Sequence, residues 1–127
     1  AMEGATYSLK YGFDAFASAG MAFDHIVLTG GGAGSAAWRQ MVADVFGMPV
    51  HVLRDAEGAA FGAALQALWA LSKSKGEDTG FAELVDAHVA FDEAPACVPR
   101  PAQVQAYQEP YQRFTEHLVA VKQIYAS

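Results

Sequence analysis

Ile26-Val27-Leu28-Thr29-Gly30-Gly31-Gly32-Ala33-Gly34-Ser35-Ala36 is the stretch that decides the fold of this chain. Four β-prone residues run into four glycines within five positions, and a helix-capping serine follows. Ile26 to Thr29 has the apolar, β-branched make-up of a short buried strand. The glycines exclude helix as well as ordinary strand and specify an unusual loop, because glycine alone moves freely into positive φ. Ser35 offers its hydroxyl to the first amides of a helix predicted over Ala36 to Phe46, which Gly47 and Pro49 close. Strand, glycine loop and helix start together make an anion cradle: backbone N–H groups point outward, no side chain obstructs approach, and the helix end adds partial positive charge.

Outward from this stretch the pattern alternates. Downstream, Val50 to Leu53 reads as a second strand, and Asp55 caps a helix from Ala56 to about Leu71 with Glu57 in its first turn. Upstream, Ala5, Leu9, Phe13 and Phe16 recur three and four apart over Met2 to Ala19, placing them on one helical face that stops at Gly20. Helix, strand, helix, strand, helix predicts an α/β layer with parallel strands and flanking helices. Gly58 and Gly62 lie four apart, and each glycine costs a helix interior about 1 kcal/mol, which predicts close helix-on-helix packing there. The opening Ala1-Met2-Glu3-Gly4-Ala5 enters an apolar helical pattern with no leader and no cap, as a piece of something longer does.

Beyond residue 71, Ser72 to Asp78 reads as a solvated loop, Phe81 to Ala87 as a short helix, and Pro95, Pro99 and Pro101 as an extended connector. Val104, Tyr107, Tyr111, Phe114, Leu118, Val121 and Tyr125 form a helical stripe. A terminal helix laid across its own domain is the preferred reading, and a dimerising coiled coil the alternative. Pro110 should kink that helix or start a new one. The expected organisation is a single domain, with an α/β core over 1–72, a loop and connector over 73–101 and the terminal helix over 102–127.

Composition narrows the function classes. With 127 residues, 53% hydrophobic and 17% charged, the chain forms a core and is not disordered. A net charge of −6 without a Lys/Arg run offers no grip on a nucleic-acid backbone. The one cysteine, Cys97, excludes an internal disulfide framework and fits a reducing compartment, here the cytoplasm; nothing activates it as a nucleophile. Gly58 to Leu71 falls short of the ~18 apolar residues that span a membrane. His25, His51, His88 and His117 show no metal-ligand spacing on one helix. Trp38 is placed either to stack on a purine or to fill the core, and Trp69 is read as core.

The ligand of the cradle has several candidates at this point. No Lys-Ser or Lys-Thr pair follows the glycines, so it is not a Walker A loop. Gly32-Ala33-Gly34-Ser35-Ala36-Ala37 fits the relaxed dinucleotide fingerprint, with Asp55 where a ribose-binding acid belongs, as in the nucleotide lobe of a dehydrogenase. A tight turn that only packs helix on sheet, or an interaction domain built on the terminal stripe, are the alternatives. Asp24, Asp44 and Asp55 lie at separate element ends, so none is assigned as a catalytic base, and Asp44 is read as a helix-terminal hydrogen-bonding residue.

TGGGAGSAAWRQMVADVFGMPV followed by EGAAFGAAL resembles the C-terminal half of the FGGY carbohydrate kinases, most like their xylulokinase subgroup. AMEGATYSL and PRPAQVQAYQEPYQRF resemble the family's helix before the strand and its closing helix, so the likeness covers nearly the whole chain. The resemblance implies an actin-like ATPase fold of two α/β lobes closing over ATP and Mg²⁺. It implies transfer of phosphate to a sugar hydroxyl, D-xylulose giving D-xylulose 5-phosphate in that subgroup. On the matching positions, Gly30, Gly31, Gly32 and Ala33 correspond to the adenosine-binding loop and Ser35 to a small polar residue near the nucleotide. Gly34 departs from the pattern, since many members carry Lys or Arg there. The catalytic base, the phosphate loops and the sugar pocket belong to a preceding lobe, which is the partner this resemblance implies.

Overall fold

Ile26–Leu28 (β1) and Val50–Val52 (β2) pair as a two-stranded parallel sheet in the computed structural model, which describes residues 1–53, 58–90 and 95–125. The register sets Ile26 beside Val50, Val27 beside His51 and Leu28 beside Val52. Parallel neighbours need a crossover, and helix α2 (Ala36–Phe46) provides it. The predicted start and stop of α2 are both realised: Ser35 Oγ accepts the Trp38 amide at 3.3 Å, and Gly47 ends the helix at φ +70°. Only glycine takes that left-handed conformation without a Cβ penalty.

The core lies between α2 and the sheet. Val42, Ala43 and Val50 are fully buried, with Ile26, Leu28, Trp38, Phe46 and Cys97 packed around them. Alternation along β1 turns Ile26 and Leu28 toward this core and leaves Val27 on the open face. The far edge of β2 is occupied too: Val50 and Cys97 exchange backbone hydrogen bonds of 2.9 and 3.2 Å, so the proline-rich connector docks as an antiparallel bridge.

Helix α1 (Met2–Ser18) forms where its periodicity predicts but buries a different face. Thr6 and Tyr7 are inside, whereas Leu9 and Phe16 are 54% and 56% exposed. An apolar stripe marks what a helix can bury; neighbours decide what it does bury. Tyr7 is surrounded by Tyr107, Tyr111 and Phe114 at centroid distances of 6.4, 5.7 and 5.7 Å. These rings belong to α5 (Pro101–Ile124), which lies across its own domain, as the preferred reading of the terminal stripe holds. Its end departs from the stripe, since Val121 and Tyr125 are exposed. Pro101 occupies the first turn, where its missing N–H costs nothing. Pro110 neither ends the helix nor starts a new one, because Tyr107 before it and Tyr111 after it both rest on Tyr7.

Three further expectations are corrected in α3 (Gly58–Ser74) and α4 (Phe81–His88). The helix continues through Ser72, which is buried, so the solvated loop begins only after Ser74. Gly58 serves no helix-on-helix contact: a Cβ there would stand 3.2 Å from Thr29 Cβ, so its close approach is to the end of β1, while Gly62 faces open space. Trp69 is not core but 37% exposed, with its ring edge-on to Phe81 at 6.0 Å. The predicted cap Asp55 and the first-turn Glu57 lie outside the described residues. Among the described residues no helix is long and apolar enough to cross a membrane.

Candidate functional site

The glycine segment is not the irregular loop its composition predicts. Gly31–Gly34 close one 3₁₀ turn, with Ala33 N–H bonded to Gly30 O and Ser35 N–H to Gly32 O, both at 3.0 Å. A single turn of this kind spans only a few residues, so it tolerates glycines that a long helix would not. Gly30 enters the turn at φ +79°, which only glycine does readily. Gly32 is fixed by a different constraint: a Cβ there would lie 2.6 Å from the Trp38 ring. Around Gly31 and Gly34 a Cβ would meet nothing within 4 Å, so this side of the turn is open. Among the described residues no backbone carbonyl takes the Gly31 or Gly32 amide.

Beside the turn is a hollow of ≈ 170 Å³ lined by Leu28, Thr29, Gly30, Ala33, Gly34, Val52 and Leu53. It sits at the carboxyl ends of both parallel strands, where open α/β sheets bind ligands. Its size suits part of a ligand, since whole small-molecule pockets run to about 300–1,000 Å³. Of the sequence-predicted residues, Gly30 and Ala33 line this hollow, Gly31 and Gly32 complete the turn, and Ser35 stands at the junction with α2. A larger hollow of ≈ 370 Å³ among α1, α2 and α5 is remote from this chemistry. Its one cation, Lys10, is bonded to Asp14 at 3.0 Å and lies over the Phe46 and Tyr111 rings, which is packing.

Trp38 resolves as a structural neighbour of the turn. Its Nε1 donates to Thr6 Oγ1 at 3.1 Å, Thr6 donates on to Met2 O at 2.9 Å, and the ring rests under Gly32. Arg39 is the residue that sequence reasoning missed. Its Nη1 donates to the Ala33 carbonyl at 2.5 Å, and its buried Nε has no hydrogen-bond partner among the described residues. Helical side chains point back toward the N-terminus, so an arginine in the first turns of α2 overhangs the loop before it. That geometric rule was the available signal.

The carboxylates are engaged elsewhere. Asp44 is fully buried in α2. Its Oδ1 accepts Arg100 N–H at 2.8 Å and Gln40 Nε2 at 3.1 Å, and its Oδ2 accepts Arg100 Nη2 at 2.6 Å and Nε at 3.1 Å. Burial pushes this carboxyl up, but the Arg100 and Gln40 donors outweigh it and hold the group below the usual carboxylate range. Asp24 bonds to His25 at 2.5 Å, a contact that holds its carboxyl below its ordinary value. The fold also brings two histidines together that the sequence left scattered: His25 and His51 meet edge to face at 5.4 Å across the strands. Among the described residues no three His, Cys, Asp or Glu side chains gather as a metal site.

The C-terminal-domain model of the FGGY family of carbohydrate kinases matches residues 1–71. This chain belongs to the FGGY family. Within it, the chain is 42% identical over 117 residues to the xylulose kinase of Haemophilus influenzae, covering 92% of this chain and 23% of that protein. Identity to the Bacillus subtilis xylulose kinase is 35% over 109 residues, 84% of this chain and 20% of the relative. The chain therefore spans about a fifth to a quarter of the length of these FGGY relatives. The crystal structure of xylulose kinase from Rhodospirillum rubrum superposes with a TM-score of 0.74 at 23% identity, over 99% of this chain and 24% of that one. The fold is thus the actin-like α/β arrangement of FGGY kinases, parallel strands with flanking helices.

Proposed function

We propose that Gly30, Gly31, Gly32, Ala33 and Ser35 form the adenosine-binding loop of an ATP-dependent sugar kinase. In the whole protein this loop serves phosphate transfer to D-xylulose, giving D-xylulose 5-phosphate. The observation that carries the reading is the 3₁₀ turn itself: its open side at Gly31 and Gly34, its Gly31 and Gly32 amides that no backbone carbonyl among the described residues takes, and the hollow at the strand ends suit a nucleotide rather than a packing contact. Two relatives that cover most of this chain bear the name xylulose kinase, which supports the choice of sugar.

Phosphoryl transfer needs a base for the attacking hydroxyl and charge around the γ-phosphate. Asp44, Asp24 and Asp14 are bonded within this chain, so the base and the sugar pocket are assigned to a preceding lobe of the kinase. Among the described residues no three His, Cys, Asp or Glu side chains form a ligand set for Mg²⁺. Leu9, Phe16, Val27, Leu68 and Leu71 leave apolar surface suited to cover by that lobe. A reducing, cytoplasmic setting accords with the single Cys97.

Titration of the chain with ATP, followed by backbone amide NMR, tests the loop. Shifts centred on residues 30–35 with weak, roughly millimolar affinity are expected, since one wall alone yields only a fraction of a binding energy. Shifts centred elsewhere, or displacement by NADH with no response to ATP, would overturn the assignment. The chain mixed with ATP and D-xylulose should form no sugar phosphate; turnover would place the base here.

A further inference from the structure

We infer that Arg39 is a positioning residue for the glycine turn, holding its amides in the arrangement a nucleotide meets. The inference rests on the reading of that turn as a nucleotide loop. A run of glycines loses more conformational freedom on ordering than any other sequence, so this turn needs an external hold. The terminal carbonyls of a helical turn lack internal partners. Ala33 O is one of these, and Arg39 Nη1 occupies it at 2.5 Å. The arginine backbone is itself fixed, its N–H bonded to Ser35 O at 2.9 Å, so the guanidinium reaches across the junction from an anchored base. With the carbonyl held by Arg39, no backbone carbonyl among the described residues takes the Gly31 or Gly32 amide.

The buried Nε adds a second, independent sign. Buried donors are ordinarily paired, and this Nε beside the turn has no acceptor among the described residues. The ligand-free turn is thereby left with one donor in want of a partner, and a carbonyl or ligand oxygen moved toward it on nucleotide binding makes the bound turn the better-satisfied state.

The test compares Arg39→Met and Arg39→Lys with the parent chain, reading amide exchange, ATP affinity and thermal midpoint together. In Arg39→Met, exchange of the Ala33 and Ser35 amides should quicken about tenfold and ATP affinity fall about tenfold, the loss of one charge-assisted hydrogen bond. The amides of residues 42–45 and the thermal midpoint should stay at parental values. Arg39→Lys, whose ammonium can donate to the same carbonyl, should recover the protection of the turn and part of the affinity. Parental exchange and affinity in Arg39→Met, or a uniform loss across the chain with a lowered midpoint, would overturn the inference. If the parent binds no ATP, the nucleotide reading fails separately, and the exchange comparison still upholds or overturns the hold of Arg39 on the turn.

Discussion

Two arginines of this molecule bond to oxygen in contrasting ways. Arg100 meets a carboxylate 56 positions away, and Asp44 receives donors on both oxygens until it is saturated. Arg39 meets a backbone carbonyl six positions away with one bond, and keeps a buried donor unused. The first arrangement joins the start of α5 to α2 and gives each oxygen of Asp44 a donor. The second borders an open hollow and is incomplete. The Asp44–Arg100 pair holds α5 to α2, whereas the Arg39 bond holds the glycine turn beside the hollow.

The strongest way to break this contrast is Asp44→Ala. It strips partners from the Arg100 amide, the Arg100 guanidinium and Gln40, and should cost about 3 kcal/mol in denaturant unfolding. Arg39→Met should leave unfolding stability close to the parental value, and losses equal to those of Asp44→Ala would erase the distinction. Acid provides a second probe. A carboxyl held low in the fold contributes stability above its unfolded value near 3.9, and that contribution is lost as pH falls through the lower folded value. Stability should therefore decline below about pH 4, and Asp44→Asn should flatten this acid limb. An unaltered limb would remove Asp44 as its source.

Smaller effects sharpen the comparison on each side. Tyr111 donates to Asp14 Oδ2 at 2.6 Å, and burial, together with the Asp14 bond and charge, pushes its hydroxyl well above the ordinary phenol range. Tyr111→Phe should lower stability by about 1 kcal/mol with no effect on ATP binding, since this bond belongs to the α1–α5 contact. Ser35→Ala removes the cap of α2, whose 3.3 Å bond is long and exposed, and should cost about 0.5 kcal/mol by thermal unfolding. A larger loss in ATP affinity than in stability would tie that hydroxyl to the nucleotide side.

Features written in adjacent residues were legible in the sequence. Ser35 and Gly47 bound α2 because capping and left-handed closure are local, and Ile26 to Leu28 is a strand because its residues suit nothing else so well. What was hidden depends on contacts remote along the chain. Leu9 and Phe16 promised a buried face of α1, but the α5 aromatics chose Tyr7 instead. Pro110 signalled a break that packing on both sides overrides. At the site, the glycine positions were readable from composition, whereas the role of Arg39 required knowing that its side chain folds back over the turn.

The backbone bridge between Val50 and Cys97 has a consequence for how this sheet can be extended. It occupies the outer flank of β2 at Val50, and β1 pairs along the other flank. Among the described residues, the outer side of Ile26–Leu28 has no strand partner. A strand added there would turn a border into an interior, and a layer packed on the open face would give Val27 a reason to be apolar although water now reaches it.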